Sequence, residues 1–197
     1  MNMNLLTALF GFAVVTLFTP GPNNLMLMAS GLNFGFRRTL PHMLGVAMGF
    51  PLMLAAIGAG LAQVFEILPI LHLVLKALAV VFMLWLAWKI ANAGAPKGAE
   101  AGQRPLRFVD AVGFQWVNPK AWAMATVATS AYLPVPGLAG VGLAAAVFMA
   151  FGLCSAGTWV LAGRTVSRFL KAEWHLRLFN IAMALLLLAS LWPLLTE

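Results

Sequence analysis

Long apolar runs alternate with short polar links along this chain, and the runs are too continuous to be the one-sided stripes of soluble helices. Six blocks can be placed: Leu5–Gly31, Leu40–Val64, Leu68–Ala93, Phe108–Leu133, Leu138–Gly163 and Leu176–Leu195. Each approaches or exceeds the roughly 20 residues that a helix needs to cross a hydrocarbon core. The links carry turn and polar residues. Asn33-Phe34-Gly35-Phe36-Arg37-Arg38 follows the first block, Ala93 to Pro105 the third, and Leu133-Pro134-Val135-Pro136-Gly137 the fourth. The pattern predicts an all-α polytopic membrane protein with six transmembrane helices.

Two of the blocks carry helix breakers. In the first, Thr19-Pro20-Gly21-Pro22-Asn23-Asn24 puts two prolines around a glycine in the middle of an apolar run. Lipid offers no hydrogen bonds, so irregular backbone at that depth survives only against protein or a water-filled cavity. In the fourth, Asn118-Pro119 reads as an N-cap followed by proline at the first helical position. It lies about 16 Å along its block, a depth comparable with that of the first break. Two half-helix N-termini are therefore expected to face one cavity near mid-membrane. The N–H groups of Asn23, Asn24 and Leu25 would form the positive end of one dipole, suited to a carboxylate. A structural kink, satisfied by neighbouring helices, is the competing reading of each break.

Charge sets the expected orientation. Ten of the twelve Lys and Arg residues lie in or beside the first, third and fifth links: Arg37, Arg38, Lys89, Lys97, Arg104, Arg107, Arg164, Arg168, Lys171 and Arg177. The positive-inside rule makes those links cytoplasmic and puts both termini outside the cytoplasmic membrane. A shift of 99 residues lays Pro20 on Pro119 and Gly58 on Gly157. The chain then divides into two inverted three-helix repeats, 1–95 and 107–197, joined by a cytoplasmic linker at 96–106, with the first helix of each repeat broken.

Composition agrees: the chain is 62% hydrophobic and 9% charged, which leaves little for a soluble domain. The net charge of +7 is spread over membrane links without interleaved aromatics, so nucleic acid is not an expected partner. Cys154 is the only cysteine, which excludes an intrachain disulfide and a cysteine-based metal cluster. No cofactor is expected. No Lys or Arg precedes Arg37, so the first block reads as a retained helix and not as a signal peptide.

The remaining two basic residues fall inside blocks. Lys120 should lie deep in the bilayer, where an unpartnered charge is costly, and is expected to face an aqueous cavity; snorkelling from that depth has poor reach. Lys76 lies nearer the outer surface, and a site role and snorkelling stand level for it. Asp110 either complements a helix N-terminus or joins an ion pair or proton relay. His42, beside the basic first link, reads as interfacial, with a relay as the alternative. Gly45 to Gly49, and Gly152, Ser155 and Gly157, suit close helix packing better than pore lining.

The break at Thr19–Asn24, followed by Gly35-Phe36-Arg37-Arg38 and Gly45, together with Asn118-Pro119-Lys120-Ala121 and Lys76, resembles the LysE/RhtB family of bacterial amino-acid exporters across nearly the whole chain. The resemblance implies a secondary transporter exporting amino acids or their derivatives on an ion gradient, with a proton as the expected coupling ion. The substrate-binding candidates are Pro20, Gly21, Asn23, Asn24, Asn118, Pro119, Lys120 and Lys76, and the coupling candidates are Asp110 and His42. The chain departs from the family at Lys76-Ala77-Leu78-Ala79, where a Gly-Ala pair would follow the lysine, and at Asn23, where some members carry Asp. The five acids, Glu66, Glu100, Asp110, Glu173 and Glu197, all fall at edges, links or a terminus, so a neutral substrate is expected over a cationic one. Its ammonium should rest on carbonyls freed by the breaks and on the Asn side-chain oxygens. Export of another small metabolite or ion is the alternative within transport. An intramembrane hydrolase built on Ser155 with His42 or His72, and a non-transporting scaffold, are the readings from other classes. No P-loop is present, so ATP-driven transport by this chain alone is disfavoured. Homo-oligomerisation stays open.

Overall fold

The computed structural model describes residues 1–61, 70–93, 104–170 and 172–191. Glu66, Lys97, Glu100, Lys171 and Glu197, most of the 96–106 linker, and the far ends of the second and sixth blocks lie outside the described residues.

Among the described residues the protein is helical, without strands. Helix α1 spans Met3–Phe18, α2 Pro22–Ala56, α3 Ile70–Ala91, α4 Phe108–Gln115, α5 Pro119–Ala131, α6 Gly137–Phe169 and α7 Glu173–Ala189. A π-helical turn, Ile57–Leu61, extends α2. The first block is thus α1 plus the start of α2, and the fourth is α4 plus α5, each interrupted where the prolines fall.

The first link is shorter than its six residues suggest. Only Gly35 leaves the helical conformation, at φ 75° and ψ 173°, a region costly for residues bearing a Cβ. The helix folds back at that residue. The Ser30 and Thr39 hydroxyls sit 3.0 Å apart across it, whereas nine residues of straight helix would separate them by about 13 Å. The arms 22–34 and 36–56 therefore form a hairpin with a one-residue hinge.

Helix α6 lies against the first arm at backbone distance. A Cβ on Gly31 would meet the Val160 carbonyl oxygen at 2.2 Å, and one on Gly163 the Met28 carbonyl oxygen at 1.9 Å. On the other side of the hairpin, a Cβ on Gly45 would meet the Phe108 carbonyl oxygen at 2.5 Å, so α4 packs just as tightly. Packing is thus what Gly45 and Gly49 serve, as small residues do where lipid supplies no hydrophobic drive between helices.

Two apolar clusters flank the hairpin. One joins α1, the second arm of α2, α5 and α6 through Leu9, Met53, Ala125 and Phe148. The other joins the first arm, α3, α4 and α7 through Met26, Met83, Phe114 and Leu187. The outward faces are apolar too: Leu73, Val81 and Trp88 on α3, and Leu185 on α7, are each more than 60% exposed. Water would penalise that surface; lipid does not. By length and composition, Pro22–Leu61 and Gly137–Phe169 are able to cross a membrane, and the first of these is the folded hairpin.

Candidate functional site

The two breaks meet. Gly21, Asn23 and Asn24 from the start of α2, and Asn118 and Lys120 from the start of α5, line one cavity of about 40 Å³, closed by Ala47 of α2 and by Gly152 and Ser155 of α6. Each helix start follows from its local sequence. Asn118 takes an extended N-cap conformation and its Oδ1 accepts the Lys120 N–H at 3.2 Å, with Pro119 at the first position where no N–H is needed. Gly21 is the N-cap of α2 with Pro22 behind it, and no side chain caps that end.

Lys120 spans the gap between the breaks. Its Nζ donates to the Thr19 carbonyl at 2.8 Å, 101 residues away in sequence. The stem runs directly over Gly21: a Cβ there would meet Lys120 Cδ at 2.9 Å and Nζ at 3.1 Å. Backbone at Gly21 is extended, so the glycine serves this close approach and not an unusual torsion. The ammonium is held by protein and not snorkelled to an interface.

Two of the carbonyls released by the first break are already used. The Leu17 carbonyl accepts from Asn24 Nδ2 at 2.7 Å and from the Ser155 hydroxyl at 2.7 Å. The Thr19 carbonyl accepts from Asn24 Nδ2 at 2.9 Å and from Lys120. A carbonyl oxygen has two lone pairs, so neither offers the ammonium perch expected from sequence. Another acceptor lies close by. Pro51 has no N–H to give the Ala47 carbonyl, which leaves that oxygen without its helical partner at the cavity wall, 3.8 Å from where a Gly152 Cβ would stand.

Gln115 was not singled out by sequence. It is fully buried at the end of α4, and exchanges hydrogen bonds with Asn23 at 2.9 Å and 3.3 Å while also donating to the Ala111 carbonyl at 2.9 Å. This pair ties the two broken segments together beside the cavity. The available signal was a lone amide inside an apolar block, three residues before Asn118. Ser155 was assigned to packing; it lines the cavity with Gly152 instead, and only Gly45 and Gly49 keep the packing role.

The other candidates lie elsewhere. Pro20 and Pro119 flank the cavity without lining it, and Lys76 on α3 does not reach it. Asp110 is away from it, in a bidentate pair with Arg107 at 2.9 Å and 3.0 Å that also caps α4. That hydrogen-bonded partner raises the pKa of the Arg107 guanidinium. His42 is not an interfacial, water-facing side chain: it is 1% exposed and lines a different cavity, so it forms no dyad with Ser155. The side chain of His72 lies outside the description. Among the described residues no group of three or more His, Cys, Asp or Glu is placed to hold a metal.

Comparison with known proteins agrees with this architecture. The family model described as LysE type translocator matches residues 14–190. The cysteine/O-acetylserine efflux protein of Salmonella choleraesuis (strain SC-B67) is 33% identical over 195 residues, covering 95% of each chain. That of Escherichia coli (strain K12) is 31% identical over 195 residues, again with 95% of each chain covered. No solved structure matches. The match takes in both breaks, the hinge and every residue that lines the cavity, and on that extent the chain belongs to the LysE type translocator family.

Proposed function

We propose that this protein is a secondary transporter that exports neutral amino acids or their derivatives across the cytoplasmic membrane, driven by an ion gradient. The observation that carries the reading is the Lys120 ammonium bridging to the Thr19 carbonyl where two broken helices meet. A carboxylate entering the cavity competes for that ammonium and gains the N–H groups at the start of α2, which no side chain caps. The Ala47 carbonyl accepts the substrate ammonium. Among the described residues no acid lines the cavity, so a second positive charge would go uncompensated beside Lys120. Cysteine and O-acetylserine, named for the relatives, are both neutral amino acids in this sense.

The test is efflux from preloaded vesicles under one imposed gradient. Serine, cysteine, O-acetylserine, homoserine and leucine should leave faster than lysine and arginine, and dissipating the gradient while ATP is maintained should stop the flux. Preferential export of the cationic pair would overturn the substrate assignment, and flux of other metabolites alone would favour the alternative of a different exported solute.

We further read the fold as two inverted three-helix repeats, 1–95 and 107–197, with both termini outside. The half-helices that start at Pro22 and Pro119 support it, since each opens the second part of its repeat's first crossing. In a chain with Cys154 replaced, a cysteine at exposed Pro136 should react with a membrane-impermeant reagent in intact cells, and one at exposed Glu173 only after permeabilisation. The reverse pattern would invert the orientation.

A further inference from the structure

The geometry points to a second ligand site: the cavity between the first arm of α2, α3 and residues 104–106 takes a small organic carboxylate, held by Lys89 and Arg104. This cavity has a volume of about 340 Å³ against 40 Å³ at the helix breaks, and no residue lines both. The first arm of α2 separates them, with Asn23 and Asn24 on one cavity and Ser30 and Asn33 on the other. At about 30 Å³ per water, the space equals roughly ten waters, ample for an acid of five to eight heavy atoms.

Three observations select the ligand chemistry. First, His42 is 1% exposed at the wall, and neither ring nitrogen has a hydrogen-bond partner among the described residues. A buried imidazole in that condition is costly unless something in the cavity bonds to it. Second, Lys89 and Arg104 both line the space, and among the described residues no acid does. Asp110 forms its ion pair with Arg107 and reaches Lys89 only as a through-space charge, without lining the cavity. The Lys89 Nζ lies 5.1 Å from the centre of the Trp85 ring, which orients the ammonium without neutralising it. Third, the neighbouring polar groups are already paired. Ser30 bonds Thr39 at 3.0 Å, and Asn33 donates to Asn180 at 3.0 Å and to the Ala29 carbonyl at 2.8 Å. They shape a rigid wall and leave the charge of the two cations for the ligand. A guanidinium fork and an ammonium suit a carboxylate, and Met26, Leu86 and Leu106 offer an apolar bed for its body. The carboxylate belongs either to the solute being exported or to a separate organic acid; the site itself does not depend on the export assignment.

The experiment uses the full chain in nanodiscs of neutral lipid, with histidine labelled by 15N and the His42 resonance assigned by its loss in His42→Gln. L-serine, propionate and L-serine methyl ester are titrated in turn. Saturable movement of the His42 signal is expected with one or both carboxylates and not with the ester. Propionate acting alongside serine assigns the site to organic acids in general; serine acting alone assigns it to the exported solute. Apparent affinity should fall at least tenfold in Lys89→Gln and in Arg104→Gln, return in Lys89→Arg, and persist in Lys120→Met. Arg104 lies outside any helix, so its variant keeps the fold intact even if Lys89→Gln does not. The proposal falls if no carboxylate moves the signal, if the ester matches the acid, if both neutralised variants bind normally, or if Lys120→Met abolishes the response. It falls equally if phosphatidylglycerol in the disc moves His42 where carboxylates do not, which would make the cavity a lipid headgroup site.

Discussion

Lys120→Met is expected to lower efflux by about 10- to 150-fold while the protein still inserts and folds. The factor corresponds to the roughly 1.5–3 kcal/mol of a hydrogen bond made by a charged group. Loss of the ammonium leaves the Thr19 carbonyl with its Asn24 bond intact, so no buried acceptor is stranded and the break keeps its shape. The carboxylate of the proposed substrate, by contrast, would lose the charge assigned to pair with it. Arginine should not restore flux, because the lysine stem already passes within 2.9 Å of a Cβ position on Gly21 and the bulkier planar head has no room to lie there. Vesicle efflux, with membrane-fraction yield and thermal unfolding as controls, decides the matter. Normal flux in Lys120→Met would make the charge dispensable and leave the breaks as structural kinks.

A large loss of stability is expected from Gly163→Ala. The new methyl would stand 1.9 Å from the Met28 carbonyl oxygen and 2.9 Å from the Leu32 nitrogen, both backbone atoms of the first arm of α2. Backbone in a helix cannot step aside as a side chain can, so α6 must move away from the hairpin. Overpacking of this kind costs about 3 kcal/mol, against about 1 kcal/mol regained from alanine's better helix propensity. The net of about 2 kcal/mol should lower the unfolding temperature in detergent by roughly 4–8 °C for a chain of this size. Gly157→Ala is the internal control on the same helix, since nothing lies within 4 Å of its Cβ position, and it should be neutral or slightly stabilising. Equal effects at the two positions would mean that the α2–α6 contact is not held by backbone approach.

Much of the architecture was legible because membranes impose strict rules on sequence. Apolar block lengths predict spans, since every buried backbone group must be bonded within the helix. Breakers inside a block announce an interruption of the helix for the same reason, and the helices do break at Pro20, Pro22 and Pro119. Asn118 as an N-cap followed from its place before a proline and was found as expected. These are local properties, set by torsion and by the donors and acceptors within a few residues.

What no local property could supply is which groups meet across the fold. Gln115 was passed over because its partner, Asn23, is 92 residues away. Asn24 and Ser155 take up the Leu17 and Thr19 carbonyls that the break releases, so those two oxygens are met by the protein's own donors. His42 looked interfacial from its neighbours in sequence, yet the Gly35 hinge folds it into the interior beside α3. The one-residue hinge was likewise hidden, because a helix can resume at once when glycine alone takes the disallowed torsion. The sequence by itself determined where helices start, stop and break, through backbone hydrogen bonding in lipid. Only the tertiary structure decided which freed groups are satisfied by protein and which remain for a ligand, because that depends on distances between residues the chain order keeps far apart.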